Sequence, residues 1–108
     1  MAKIIFKQPD GESVDIDARN GFTLMEVAVN NGVVGIDGEC GGGCSCATCH
    51  VYIDANFIDA IDPPTEYETD LLECIVGYTE RSRLSCQVKV SDALDGILLT
   101  IPSDQGLA

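Results

Sequence analysis

Glu39-Cys40-Gly41-Gly42-Gly43-Cys44-Ser45-Cys46-Ala47-Thr48-Cys49-His50 is the stretch on which the reading of this chain turns. Three of its cysteines follow the pattern Cys40-x5-Cys46-x2-Cys49, and Cys86 stands alone far downstream. Thiols this close together match neither strand nor helix spacing, so the segment must curl around something. Gly41, Gly42 and Gly43 remove every Cβ between Cys40 and Cys44. The backbone can then take positive φ and approach an inorganic core closely. It also leaves N–H groups free to form a concave donor nest for an anionic group. Ser45, Ala47 and Thr48 are small, as a loop without room for bulk requires. Thiolate is the ligand that iron–sulfur clusters use, and four of them hold a [2Fe–2S] pair. Cys40, Cys46, Cys49 and Cys86 are therefore the expected ligands of one [2Fe–2S] cluster.

Two other uses of thiols compete with this reading. Six cysteines in 108 residues could form a disulfide framework. Against it, Met1-Ala2-Lys3 runs directly into Ile4-Ile5-Phe6 with no signal-peptide pattern, and a chain that is 45% hydrophobic can build a core without staples. Structural zinc usually pairs two short Cys/His knuckles, whereas here three thiols cluster and the fourth is solitary. Zinc would leave the protein colourless, while a [2Fe–2S] protein is red-brown. Cys44 reads as a bystander thiol in the loop, a catalytic role for it being a distant alternative. Cys74 reads as a small hydrophobe on the apolar side of a helix.

Outward from the loop, the chain reads as one domain over residues 1–108, with 103–108 as a mobile tail. It has no internal repeat and no apolar run long enough to span a membrane. Lys3–Gln8 and Ser13–Ala18 are expected to pair as a hairpin across Pro9-Asp10-Gly11. Thr23 and Glu26 form a capping box that opens a helix burying Leu24, Val27 and Ala28 and stopping at Asn31-Gly32. His50–Asp54 returns as a strand. A second box, Thr65 with Glu68, follows Pro63-Pro64 and starts a second helix. Cys86–Val90 and Gly96–Ile101 are expected as strands on either side of an Asp92–Asp95 turn. This mixture of α and β suits a sheet gripping a helix.

On the second helix, Tyr67, Leu71 and Cys74 fall at i, i+4, i+7 and are expected to be its buried stripe. Glu66, Asp70 and Glu73 recur at the same spacing on another face, where like charges repel by a few tenths of a kcal/mol per pair. Residues 54–80 hold Asp54, Asp59, Asp62, Glu66, Glu68, Asp70, Glu73 and Glu80 and no Lys or Arg. In a chain of net charge −12 the plain reading is a solvated face. The functional reading is a docking patch for basic partners, acting on encounter rate and orientation. The same charge disfavours nucleic acid.

Taken together, Cys40-x5-Cys46-x2-Cys49-His50 and Arg81-Ser82-Arg83-Leu84-Ser85-Cys86-Gln87 resemble the adrenodoxin–putidaredoxin class of [2Fe–2S] ferredoxins over nearly the full length. Plant-type ferredoxins place four residues, not five, between the first two ligands. The resemblance implies an α+β, β-grasp (ubiquitin-like) fold with one main helix and a second acidic helix. It implies that Cys40 and Cys46 hold the outer iron, and Cys49 and Cys86 the inner one. It implies partner contacts through Asp70 and Glu73, with Glu66 and Glu80 as lesser contributors. It places His50 between cluster and interaction region and has Arg83 tie down the Cys86 loop, while the family's aromatic near the end of the acidic helix is replaced by Val76.

The expected function is one-electron transfer by a carrier, not an enzyme. No Ser/His/Asp arrangement, phosphate loop or open metal position suggests substrate turnover. The implied donor is an NAD(P)H-dependent FAD ferredoxin reductase. The implied acceptor is a cytochrome P-450 monooxygenase, with a Rieske non-haem iron dioxygenase or iron–sulfur cluster assembly as alternatives. A monomer in the bacterial cytoplasm is expected, since the Met-Ala start carries no transit peptide.

Overall fold

The structure is a computed structural model that describes residues 2–33, 35–36 and 49–103. The readings made for Cys40, Cys44, Cys46 and the tail beyond Ser103 lie outside the described residues.

Alternation builds the first hairpin. In β1 (Ala2–Lys7), Ala2, Ile4 and Phe6 are buried while Lys3 and Lys7 face out, the period of two that a half-buried strand imposes. β2 (Ser13–Ala18) pairs with it antiparallel, Ile4 opposite Ile16 and Phe6 opposite Val14. Thr23 then caps α1 (Leu24–Asn30): its side chain accepts from Glu26 N–H, and the Glu26 carboxylate accepts from Thr23 N–H. The helix buries Leu24, Met25, Val27 and Ala28. β3 (His50–Ile53) and a 3₁₀ helix (Ala55–Ala60) follow, then α2 (Glu66–Leu72), β4 (Ser82–Leu84) and β5 (Ile97–Thr100).

These strands form a five-stranded mixed sheet in the order β2-β1-β5-β3-β4. β5 runs parallel to β1 (Ile4 opposite Ile97) and antiparallel to β3, as the expected α+β architecture requires. Phe6, Ile4, Leu24, Ile53, Leu84, Leu94, Ile97 and Leu99 are almost completely enclosed. Each such side chain contributes about 1.5–3 kcal/mol through removal from water.

Three expectations need correction. Cys86–Val90 is not a sheet strand. Ser85–Gln87 is a 3₁₀ turn, and the residues after it run alongside the entry to α1, with Leu24 N–H donating to Val88 O, Gly21 N–H to Val90 O and Val90 N–H to Phe22 O. Leu24 and Val90 are apolar enough for either arrangement, and the neighbouring backbone captures the hydrogen bonds. The second capping box is only half made: Thr65 accepts from Glu68 N–H at 3.2 Å, but the Glu68 side chain turns inward. Consequently the buried stripe of α2 is not Tyr67, Leu71 and Cys74. Tyr67 is 67% exposed, Cys74 is exposed, and Leu71 is only partly covered. Glu68, Leu72 and Ile75 go inside instead, at the same i, i+4, i+7 spacing.

Candidate functional site

The antiparallel pairing of β3 with β4 sets His50 opposite Leu84. This carries Cys49, just before β3, to Cys86, just after β4. Ser85 locks the junction, its N–H and its hydroxyl both donating to Cys49 O, at 2.9 and 2.7 Å. The Cys49 and Cys86 sulfurs lie 3.3 Å apart, and the two residues are 1% and 6% exposed. A disulfide would need about 2.05 Å. Two thiolates on one tetrahedral metal, each about 2.3 Å from it, sit about 3.8 Å apart. The approach is thus too long for a disulfide and nearer to the separation of two ligands on one metal. Gln87 Nε2 donates to the Cys86 sulfur at 3.3 Å, the kind of contact that orients a metal-ligating side chain. Two buried thiols held side by side by backbone fit the inner half of the expected [2Fe–2S] ligand set.

Beyond the thiols, β3 is tied to the segment after α2. His50 is fully buried, with Nε2 2.8 Å from Ser82 Oγ, and Ser82 Oγ accepts from Thr79 N–H at 2.8 Å. Burial lowers the His50 pKa to about 4, so the ring is uncharged at neutral pH. Tyr52, edge-on to His50 with ring centroids 4.8 Å apart, donates its hydroxyl to Gly77 O at 2.5 Å. Gly77 has φ +74°, and a Cβ there would stand 2.8 Å from the Tyr52 oxygen. Glycine is therefore required on two counts.

Arg83 anchors α2 to β4. Its Nε and Nη2 donate to the two Glu68 carboxylate oxygens at 2.8 and 3.0 Å, and its Nη1 donates to Asp62 O at 2.8 Å. Leu84 N–H completes the shell of Glu68 at 3.1 Å. Glu68 is 1% exposed and Arg83 8%. Glu68 therefore leaves the acidic face, its charge compensated internally as burial demands. Arg83 is expected to tie down the Cys86 loop; its side-chain bonds run instead to Glu68 and Asp62, joining α2 and the segment before it to β4.

Glu66, Asp70, Glu73 and Glu80 are all exposed, so four of the acidic positions expected to dock partners do face solvent. Sequence reasoning missed the Glu68–Arg83 pair and the Tyr52–Gly77 strap. The signal available for the first was the pair Arg81 and Arg83 just before Cys86, and none pointed to the second. No helix of the described residues is long and apolar enough to cross a membrane.

Comparison with known proteins agrees with this geometry. The family described as the 2Fe-2S iron-sulfur cluster binding domain matches residues 7–91. The chain is 45% identical over 103 residues to the ferredoxin CarAc of a Sphingomonas species, covering 95% of this chain and 94% of that protein. A crystal structure of a reduced cysteine-to-serine variant of putidaredoxin from Pseudomonas putida superposes with a TM-score of 0.93 at 39% identity, over 96% of this chain and 99% of that one. Putidaredoxin in its covalent complex with putidaredoxin reductase gives 0.91 at 39% identity, over 95% and 100%. With its β-grasp sheet and its paired buried thiols, the chain belongs to the putidaredoxin- and adrenodoxin-type [2Fe–2S] ferredoxins, electron carriers with one [2Fe–2S] cluster.

Proposed function

We propose that this ferredoxin takes single electrons from an NAD(P)H-dependent flavoprotein reductase and delivers them to a cytochrome P-450 monooxygenase, with Cys40, Cys46, Cys49 and Cys86 as cluster ligands. The observation that carries the reading is the buried Cys49–Cys86 pair, 3.3 Å between sulfurs. The reductase is supported by the solved covalent complex of putidaredoxin with its reductase.

When bound, the cluster supplies the one-electron redox centre. The chain supplies the rest. Burial of Cys49 and Cys86 keeps water from their sulfurs, and Gln87 orients the Cys86 side chain. The Glu68–Arg83 pair holds α2 against β4, so the docking helix keeps a fixed relation to the Cys86 turn. Glu66, Asp70, Glu73 and Glu80 attract Lys/Arg patches, which raises the encounter rate and selects orientation. Donor and acceptor use this ridge in turn and so compete for it. The chain acts as one domain over residues 1–108, as a monomer in the cytoplasm.

The test is anaerobic stopped-flow reoxidation of the reduced protein, mixed separately with a P-450 and a Rieske oxygenase from the source organism. Fast, salt-sensitive transfer to the P-450 alone is expected. Transfer to the Rieske enzyme alone would reassign the acceptor, and silence with both would move the protein to cluster assembly.

A further inference from the structure

Beside the acidic ridge lies a groove of about 410 Å³ whose lining includes Ile58, Asp59, Pro63, Leu72, Tyr78 and Glu80. Two features set it apart from an ordinary surface dip. Ile58 and Tyr78 are 37% and 51% exposed, two of the few large apolar side chains that the fold leaves in water. Asp59 and Glu80 are exposed carboxylates with no hydrogen bond or ion pair among the described residues. The cation in the lining, Arg83, is already neutralised by Glu68. The groove thus combines apolar walls with uncompensated negative charge, and its volume is in the range of sites that enclose a bound group.

We propose that this groove is the seat of one arginine side chain of a protein partner. Its aliphatic stem lies along Ile58 and Pro63, its guanidinium faces the Tyr78 ring, and Asp59 and Glu80 take its charge. Arginine suits the combination because its stem packs on apolar surface while its head is weakly hydrated, planar and able to stack on an aromatic face. The inference rests on the reading that basic partners dock on this side of the molecule. It adds a concave anchor to a ridge that, on charge alone, would steer without fixing register. It also gives Tyr78 an aromatic role at a surface where Val76 supplies none.

The experiment is an NMR titration of the isotopically labelled holo-protein with acetyl-Gly-Arg-Gly-amide, followed at the Ile58 methyls and the Tyr78 ring. A parallel titration with guanidinium ion supplies the same charge without the stem. The peptide is expected to shift both residues saturably, and guanidinium to leave them in place. Tyr78→Ser is expected to weaken the peptide about two- to fivefold, the size of an exposed cation–π contact. Asp59→Asn/Glu80→Gln is expected to weaken it further, and Asp15→Asn, on β2 at the opposite edge of the sheet from β4, to leave it unchanged. Equal response to guanidinium, shifts confined to the Asp70–Glu73 ridge, or silence at Ile58 and Tyr78 would overturn the proposal. The docking reading has its own readout, the reduction kinetics of Asp70→Asn with reductase, so the two can fail separately.

Discussion

Replacing Glu68 by Gln probes the connection between the docking helix and the cluster side of the sheet. The carboxylate receives Arg83 Nε, Arg83 Nη2 and Leu84 N–H within 3.1 Å while only 1% exposed. Glutamine keeps the volume but removes the charge and offers one acceptor oxygen in place of two, so the Arg83 guanidinium stays buried without a counter-charge. Breaking a buried pair from one side costs about 3–5 kcal/mol, whereas replacing both partners by apolar groups of similar volume is often neutral. For a domain of this size that loss lowers the melting temperature by roughly 10–20 °C. Glu68→Met/Arg83→Met removes both charges. It still leaves the buried Leu84 N–H without its partner, a residual loss of about 1–3 kcal/mol, while the partly buried Asp62 O can turn to water. The double variant should therefore recover part of the deficit. Because cluster loss makes unfolding irreversible, the assay is the decay of visible absorbance at a fixed temperature beside a scan of fixed rate. A melting temperature for Glu68→Gln close to that of the parent, or a double variant no better than the single, would refute the argument.

Three further outcomes are expected. Cys49→Ser and Cys86→Ser should each lose the visible spectrum of the holo-protein, while Cys74→Ser, on the surface, should keep it; a coloured Cys86→Ser protein would remove that residue from the ligand set. Asp70→Asn should slow reduction by the reductase and flatten its salt dependence, because exposed charges are screened within about 10 Å at 0.1 M ionic strength; unchanged kinetics at low salt would count against the ridge. Gly77→Ala should cost about 1–3 kcal/mol through its left-handed backbone and its clash with Tyr52, against about 0.5–1.5 kcal/mol for Tyr52→Phe. The melting temperature of the double variant should be higher than additivity predicts, since removing the Tyr52 hydroxyl relieves the clash, and strict additivity would contradict it.

The hairpin, α1 with its Thr23–Glu26 box, and the strand beginning at His50 were legible because local periodicity and capping chemistry are sufficient to set them. The short β4 strand and the 3₁₀ segments were not, since three or four residues carry no period. The expected ligand pattern rests on a different kind of signal: thiol spacing in a Gly-rich loop is constrained by any group it surrounds, whatever the rest of the chain does.

α2 marks the boundary between the two kinds of information. Its two candidate stripes have identical spacing, and hydropathy favours Tyr67, Leu71 and Cys74 over a face containing a glutamate. Only the tertiary structure supplies Arg83, on β4, as the counter-charge that makes Glu68 the buried residue and turns Tyr67 and Cys74 outward. The same holds for Cys49 and Cys86. Chemistry written in the chain makes them expected ligands, but their 3.3 Å approach exists only because β3 and β4 pair in one register. Local preference and ligand type are properties of residues and their neighbours in sequence. Which charge is compensated, and which thiols meet, depend on contacts between segments far apart in the chain.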